Sequence, residues 1–283
     1  MLPRRIALRA VGAAAVAPLW LARAEGAKPG GRRVGVAFGS GGLHGLAYVG
    51  AIRVFQQLGF QPDVIAGCSA GAIAGALWAA GHNAETIETL ALDQSWQEDS
   101  RWRMPRLGFA NLQRLQQLID RVTHGARIES LKTSFVAVAT DLATGRSEIL
   151  RRGPLAPAVA ASASVPIRFE PVEIDGRRLV DGALTAPLPV DAARLLGADF
   201  VIAIDAAYRP YEEPVSGMTG VAYQMFHIMV NQMITEQARR ADFSIRLDVH
   251  AMARGPDHAR SLIQAGEQSI RDAWPALRRA LAP

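Results

Sequence analysis

Apolar and polar positions along the chain fall into two kinds of segment that alternate. Residues 33–38 and 63–66 are short apolar runs ending at glycine, as buried strands do. Each leads into a segment of helical spacing: residues 43–58, stopped by Gly59, and residues 69–80, rich in small side chains and closed by Gly81. Further helices are predicted over 84–92 and 111–122. Residues 95–110 between them are irregular and carry Trp96, Trp102, Met104 and Phe109. A strand follows at 134–140, then a compact stretch of strands and turns to residue 180, then a buried strand at 200–205. Helical patterns resume over 221–240 and 258–281. Strands alternating with helices predict an α/β fold with a mainly parallel sheet, and no linker divides residues 33–283.

Composition fits that picture and adds one correction to it. The 283 residues are 49% apolar and 20% charged, enough for a sizeable core in one domain. Residues 1–24 do not belong to it. Arg4 and Arg5 precede a short apolar run that ends in Ala22-Arg23-Ala24, the charged start, apolar middle and A-x-A ending of an export signal. The paired arginines favour the twin-arginine route, towards the periplasm or beyond; the alternative is an uncleaved membrane anchor. Residues 25–32 read as a flexible lead-in. The first 24 residues hold four arginines and no acid, so without them the 31 basic residues become 27 against 26 acidic ones. The basic balance of the chain lies mostly in the signal, which removes any case for nucleic-acid binding through a clustered basic face. Cys68 is the only cysteine, so no internal disulfide forms and no metal site is built on several thiolates. The six histidines form no H-E-x-x-H or similar cluster.

The chemistry lies at the strand ends. Gly67-Cys68-Ser69-Ala70-Gly71 reads G-x-S-x-G between a predicted strand and a predicted helix, the setting of a nucleophile elbow. There Gly67 and Gly71 make room for a strained Ser69, whose hydroxyl projects at the positive end of a helix. A second loop, Gly39-Ser40-Gly41-Gly42-Leu43-His44-Gly45, also joins strand to helix. A dinucleotide fingerprint would need glycine where Ser40 stands. The other reading is an oxyanion hole, with backbone N–H groups at adjacent glycines aimed at one point. For the base, His82, His124, His227 and His250 are triad candidates, and none sits in a turn signal. Asp181-Gly182-Ala183 ends the apolar pair Leu179-Val180 and begins a turn. That carboxylate could take a proton from Ser69 directly, although Asp-Gly is also an ordinary turn. Asp141 and Asp205 also end predicted strands, with Asp205 the reserve candidate for the base.

These three sites, in this order, resemble the patatin-like phospholipase family: G-S-G-G-L-H-G at 39–45, G-C-S-A-G at 67–71 and D-G-A at 181–183. The segments at 139–145, 161–166 and 179–190 look like family segments too, so the resemblance covers about residues 33–250. It implies a three-layer α/β/α sandwich, with Ser69 as nucleophile and Asp181 completing a Ser-Asp dyad. Gly41 and Gly42 would lead the oxyanion donors, with the Leu43 N–H beside them. It implies hydrolysis of acyl esters in phospholipids or other lipids, with no metal or cofactor. Two residues depart from the pattern: Ser40 replaces a common glycine, and His44 stands where the family has Arg or Lys, which makes local positive charge depend on pH.

Other features have plainer readings. Trp96, Arg101, Trp102, Arg103, Met104, Arg106 and Phe109 read first as a packed loop with solvated arginines; the alternative is a flap in peripheral contact with a membrane. Tyr223, Met225, Phe226, Met229 and Met233 have the spacing of a core face, with an acyl pocket as the alternative. Cys68 reads as a small buried hydrophobe. Rival functions are a Ser-His-Asp esterase, an acyltransferase, and a lipid-binding protein without turnover. No partner protein or oligomeric state is read from the sequence.

Overall fold

The structure is a computed structural model that describes residues 31–93, 108–206, 215–249 and 257–282. The expected export signal, most of the lead-in, all but the end of the tryptophan-rich segment, and His250 lie outside the described residues. Residues 32–283 form one compact unit. Arg32, the last residue of the expected lead-in, already belongs to it, with its guanidinium 4.2 Å above the Phe200 ring.

Among the described residues the strands are β1 (Val34–Phe38), β2 (Val64–Cys68), β3 (Gly108–Ala110), β4 (Ser134–Asp141), β5 (Ser147–Leu150), β6 (Ile167–Phe169), β7 (Val172–Ile174), β8 (Arg177–Asp181), β9 (Phe200–Asp205) and β10 (Phe243–Arg246). The helices are α1 (Ala47–Gln57), α2 (Ala70–Ala79), α3 (Ala84–Leu92), α4 (Gln113–Thr123), α5 (Leu155–Ser162), α6 (Val190–Leu195), α7 (Gly217–Ala238) and α8 (His258–Leu281). The main sheet runs β10-β9-β1-β2-β4-β8-β7, with β5 beside β4; β3 and β6 pair separately.

Alternation along the buried strands builds three layers, because successive side chains point to opposite faces. Val36 and Phe38 face a cluster with Ile65, Phe135 and the apolar sides of α1 to α5 and α8. Ala37 faces the other cluster, with Val64, Ala66, Val136, Val201 and helices α6 and α7. The chain is thus an α/β/α sandwich around a central sheet.

The expected mainly parallel sheet is present: it is parallel from β10 to β4, with β5 and β8 antiparallel to β4, and β7 to β8. Three other expectations need correction. The helix expected over 43–58 opens instead as a 3₁₀ turn, Gly42–Leu46, before α1 begins. The stretch to residue 180, expected to hold only strands and turns, contains α5. That helix is buried nearly all round, so it shows no apolar stripe, and its Pro157 sits in the first turn, where a missing N–H costs little. Finally, the Met/aromatic stripe is not one core face. Val230 and Ile234 of α7 are buried, and Phe226 and Met233 pack against the second cluster, but Met225 and Met229 are exposed.

Candidate active site

Ser69 links the end of β2 to the start of α2 with φ +55° and ψ −122°. A non-glycine residue there carries roughly 1–3 kcal/mol of strain. A serine before a helix ordinarily caps it with its own hydroxyl. Here α2 has no side-chain cap, and the hydroxyl is turned away to donate to Asp181 Oδ2 at 2.7 Å. The elbow is held from behind by Ser162 at the end of α5, a residue with no exposed surface. Its Oγ accepts the Ser69 N–H at 3.0 Å and donates to the Val138 carbonyl at 2.6 Å.

Strand register explains how a residue 112 positions away reaches Ser69. Cys68, the last residue of β2, is level with Val138 of β4. Strand β4 runs on to Asp141, and β8 returns antiparallel beside it, from Leu179 opposite Asp141 to Asp181 opposite Ala139. The overshoot and return of one strand place the end of β8 next to the end of β2. Hydrogen bonds then fix the Asp181 backbone: its N–H donates to Ser164 O at 2.9 Å, and its carbonyl accepts from Thr140 Oγ1 at 3.0 Å.

The Asp181 carboxyl group is fully buried. Oδ1 accepts the Ala183 N–H at 2.8 Å and faces Cys68 Sγ at 3.9 Å. Burial pushes its pKa up to about 6, against the hydrogen bonds from Ser69, Ala183 and Cys68, which favour the charged form. At neutral pH it is mostly ionised and can accept a proton from Ser69. Burial also pushes the Cys68 thiol well above its ordinary value, helped by the adjacent Asp181 charge, so the thiol stays protonated.

The glycine loop leaves β1 beside this pair. Gly39 N–H donates to Ile204 O at 3.0 Å and Ser40 N–H to Pro187 O at 2.7 Å, while Gly41 O accepts the His44 N–H at 3.0 Å. The N–H groups of Gly41, Gly42 and Leu43 have no acceptor among the described residues. Gly42 lies at φ +53° with open space where a side chain would be. The loop and the elbow touch: a Cβ on Gly45 would sit 2.3 Å from Ala70 Cβ. The loop is stapled from below by Tyr48 of α1, which is fully buried. Its hydroxyl donates to Gly39 O at 2.8 Å, with Ser40 O at 3.3 Å, and accepts the Ala206 N–H at 3.1 Å. Sequence reasoning passed over Tyr48 and treated Ser162 only as part of a resembling segment. The signal for Tyr48 was available, since a tyrosine within a buried helical pattern needs a partner for its hydroxyl.

The remaining candidates lie elsewhere. Asp205, the reserve base, is ion-paired with Arg246 at 2.9 Å, so its carboxylate serves the β9–β10 edge. Asp141 Oδ1 accepts the N–H groups of Ala143 and Thr144 and caps a turn. His82 Nε2 bonds to Val122 O at 3.1 Å. His124 ends α4 in the left-handed conformation, and His227 lies half-buried on α7, its pKa lowered by burial. The Ser69 hydroxyl thus donates to a carboxylate. Among the described residues no group of three or more His, Cys, Asp or Glu could hold a metal ion.

Comparison with known proteins finds relatives in sequence and in fold. An NTE family protein of Mycobacterium tuberculosis is 37% identical over 175 residues, covering 61% of this chain and 48% of the relative. A patatin-like phospholipase domain-containing protein of Caenorhabditis elegans is 30% identical over 202 residues, covering 66% and 15%. The lysophospholipase nte1 of Aspergillus fumigatus is 29% identical over 181 residues, covering 62% and 12%. The chain therefore spans about half the length of the mycobacterial relative and far less of the other two. In fold it is similar to VipD from Legionella pneumophila, with a TM-score of 0.54 at 11% identity over 87% of this chain and 67% of that one. The family model for patatin-like phospholipases matches residues 36–194, more than half of the sequence and both ends of the Ser69–Asp181 contact, and the chain belongs to that family.

Proposed function

We propose that the protein is a serine acyl hydrolase of lipid esters, exported by its N-terminal signal. Ser69 is the nucleophile, Asp181 its base, and the Gly41 and Gly42 amides, with Leu43 beside them, the oxyanion donors. The observation that carries this reading is the 2.7 Å bond from Ser69 Oγ to Asp181 Oδ2 at a strained strand–helix elbow. Asp181 takes the Ser69 proton as Oγ attacks the acyl carbonyl, and the amides hold the negative oxygen. The proton then passes from Asp181 to the departing alcohol, leaving an acyl-enzyme. Water attacks this ester, gives one proton to Asp181 and releases the fatty acid, and the proton returns to Ser69 Oγ. That one relative bears the name lysophospholipase supports lysophospholipids as first substrates to try.

The test uses a fluorophosphonate probe with peptide mapping, and a panel of p-nitrophenyl esters, lysophospholipids and diacyl phospholipids. The adduct is expected on Ser69, with fatty acid released from at least one lipid. An adduct elsewhere, or no hydrolysis of any ester, rejects the assignment. Added glycerol or a lysolipid acceptor distinguishes transfer from hydrolysis by its acylated product.

The Tyr48 staple yields a second expectation. Tyr48→Phe leaves the Ala206 N–H without its acceptor and the Gly39 carbonyl without its donor, a loss of about 1–3 kcal/mol for buried groups. The loop amides should lose their aim, so kcat falls tenfold or more while KM for a soluble ester changes little. Affinity for a trifluoromethyl ketone, which presents an oxyanion, should fall in parallel. Unchanged kcat in a folded Tyr48→Phe protein would show that the staple does not position the donors.

A further inference from the structure

Helix α7 has two apolar sides and only one core to bury them. Val230 and Ile234 are buried in the second cluster, and Gln237 ties the end of the helix down, accepting the Leu188 N–H and donating to Thr185 O. On the opposite side, Val221, Met225 and Met229 recur every fourth residue and so share one face, with Met218 one turn before them. They are 50%, 58%, 54% and 88% exposed. No Asp, Glu, Lys or Arg occurs from Gly217 to Thr235. An uncharged helix with apolar residues on two sides suits a core on one of them and another apolar phase on the other.

The helix also extends past the strand ends. It connects β9 to β10, which are parallel neighbours, and so runs back against the strand direction. Its 22 residues span about 33 Å, and Gln237 near its C-terminus is bonded to Leu188 and Thr185, beside the Pro187 carbonyl that accepts the Ser40 N–H of the glycine loop. Among its described side chains the buried ones, Val230 and Ile234, lie in the C-terminal half. The N-terminal part therefore reaches past the strand ends on the side where β1 gives way to the glycine loop and β2 to Ser69. At its border Tyr223 feels the positive charge of Arg168, which opposes the rise that burial gives its phenol. Ile167, beside Arg168, is also exposed, as is Leu43 next to Gly42. An uncharged aliphatic face with an arginine at its edge is complementary to a phospholipid surface, with acyl chains below and phosphates at the rim.

We propose that the Met218, Val221, Met225 and Met229 face of α7 docks on a phospholipid surface and sets the open side of the Ser69 site against it. The proposal deepens the lipid-hydrolase reading by stating how an aggregated substrate is approached. The contact is in-plane, since no described helix is long and apolar enough to cross a membrane. It is made chiefly by apolar side chains, so it should tolerate salt and need no anionic lipid.

The test separates docking from turnover. In a Ser69→Ala background, which cannot consume the lipid if Ser69 is the nucleophile, binding to phosphatidylcholine vesicles is measured by sedimentation at 0.1 and 0.5 M NaCl. The parent should bind with little salt dependence, and a Met218→Glu, Met225→Glu, Met229→Glu triple variant should bind at least tenfold more weakly. With Ser69 intact, the triple variant should lose at least ten times more activity on vesicles than on a soluble ester. Equal binding by parent and triple variant overturns the proposal. So does a parent dimer that the triple variant dissolves without loss of vesicle binding, which would make the face a contact between copies. If the triple variant fails to fold, Met225→Trp replaces it: its fluorescence should be quenched by brominated phosphatidylcholine, and lack of quenching overturns docking. Failure of the hydrolase reading shows separately, as absent turnover of the soluble ester by the parent with Ser69 intact.

Discussion

Asp181→Asn should lower kcat by roughly three to five orders of magnitude and, at pH 8, raise the melting temperature. The two effects share one cause. The Asp181 carboxyl group has no exposed surface, and burial raises its pKa from 3.8 to about 6. The folded state therefore holds this proton to a higher pH than the unfolded chain does. Stability from this group is fully present below about pH 4, falls as pH rises towards 6, and stays low above that. The shift corresponds to about 3 kcal/mol at neutral and alkaline pH. Asparagine keeps an oxygen for the Ala183 N–H and offers an N–H to Ser69 Oγ, without the buried charge. It cannot take the serine proton, so the chemical step fails. The wild-type protein should show kcat/KM rising with pH and half-maximal near 6, as stability declines over pH 4–6. The stability advantage of the variant should vanish below pH 4. Melting curves from pH 4 to 8 with a pH–rate profile check both halves. A less stable variant at pH 8, or one that keeps activity, would reject Asp181 as the buried base.

Local features were legible in the sequence, and features set by register were not. The elbow at Ser69 and the glycine loop each lie within seven residues between a strand and a helix, so pattern alone located them. The clusters on the two sheet faces follow from alternation in strands such as Val64–Cys68. Asp181 was different. As a residue pattern, Asp-Gly is one turn among many, and the family resemblance singled it out. What brings it to Ser69 is the three-residue overshoot of β4 past the level of Cys68 and the antiparallel return of β8, a long-range fact. Ser162 was hidden for the same reason, because its partners Ser69 and Val138 are remote in sequence. The exposed side of α7 was misread because periodicity reports apolar faces and not what lies against them. Strand β10 was missed because four residues at a sheet edge, two of them polar, give alternation too little length.

Gly71→Ala should cost more than about 3 kcal/mol of stability, at or beyond the upper end for added core volume, and should impair catalysis even in the fraction that folds. A Cβ on Gly71 would lie 2.4 Å from the Phe38 carbonyl oxygen and 2.5 Å from that of Gly39. Neither oxygen has room to retreat. Phe38 is in register between Ile204 of β9 and Gly67 of β2. Gly39 is held by its N–H on Ile204 and by the Tyr48 hydroxyl on its carbonyl. The methyl group must therefore push α2 away from the end of β1, which moves Ser69 relative to the free amides of Gly41 and Gly42. Gly75→Ala, one turn along the same helix, is the control. Its Cβ would meet Ile65 Cγ2 at 2.9 Å and Phe135 Cε2 at 3.4 Å, contacts longer than those of Gly71 and with side chains instead of backbone, and alanine gains about 1 kcal/mol of helix propensity there to offset them. Urea denaturation should place Gly75→Ala near the wild-type protein and Gly71→Ala far below it, with the kcat loss confined to Gly71→Ala. Similar midpoints for the two variants would mean that contact with the backbone of the glycine loop does not set the position of the elbow.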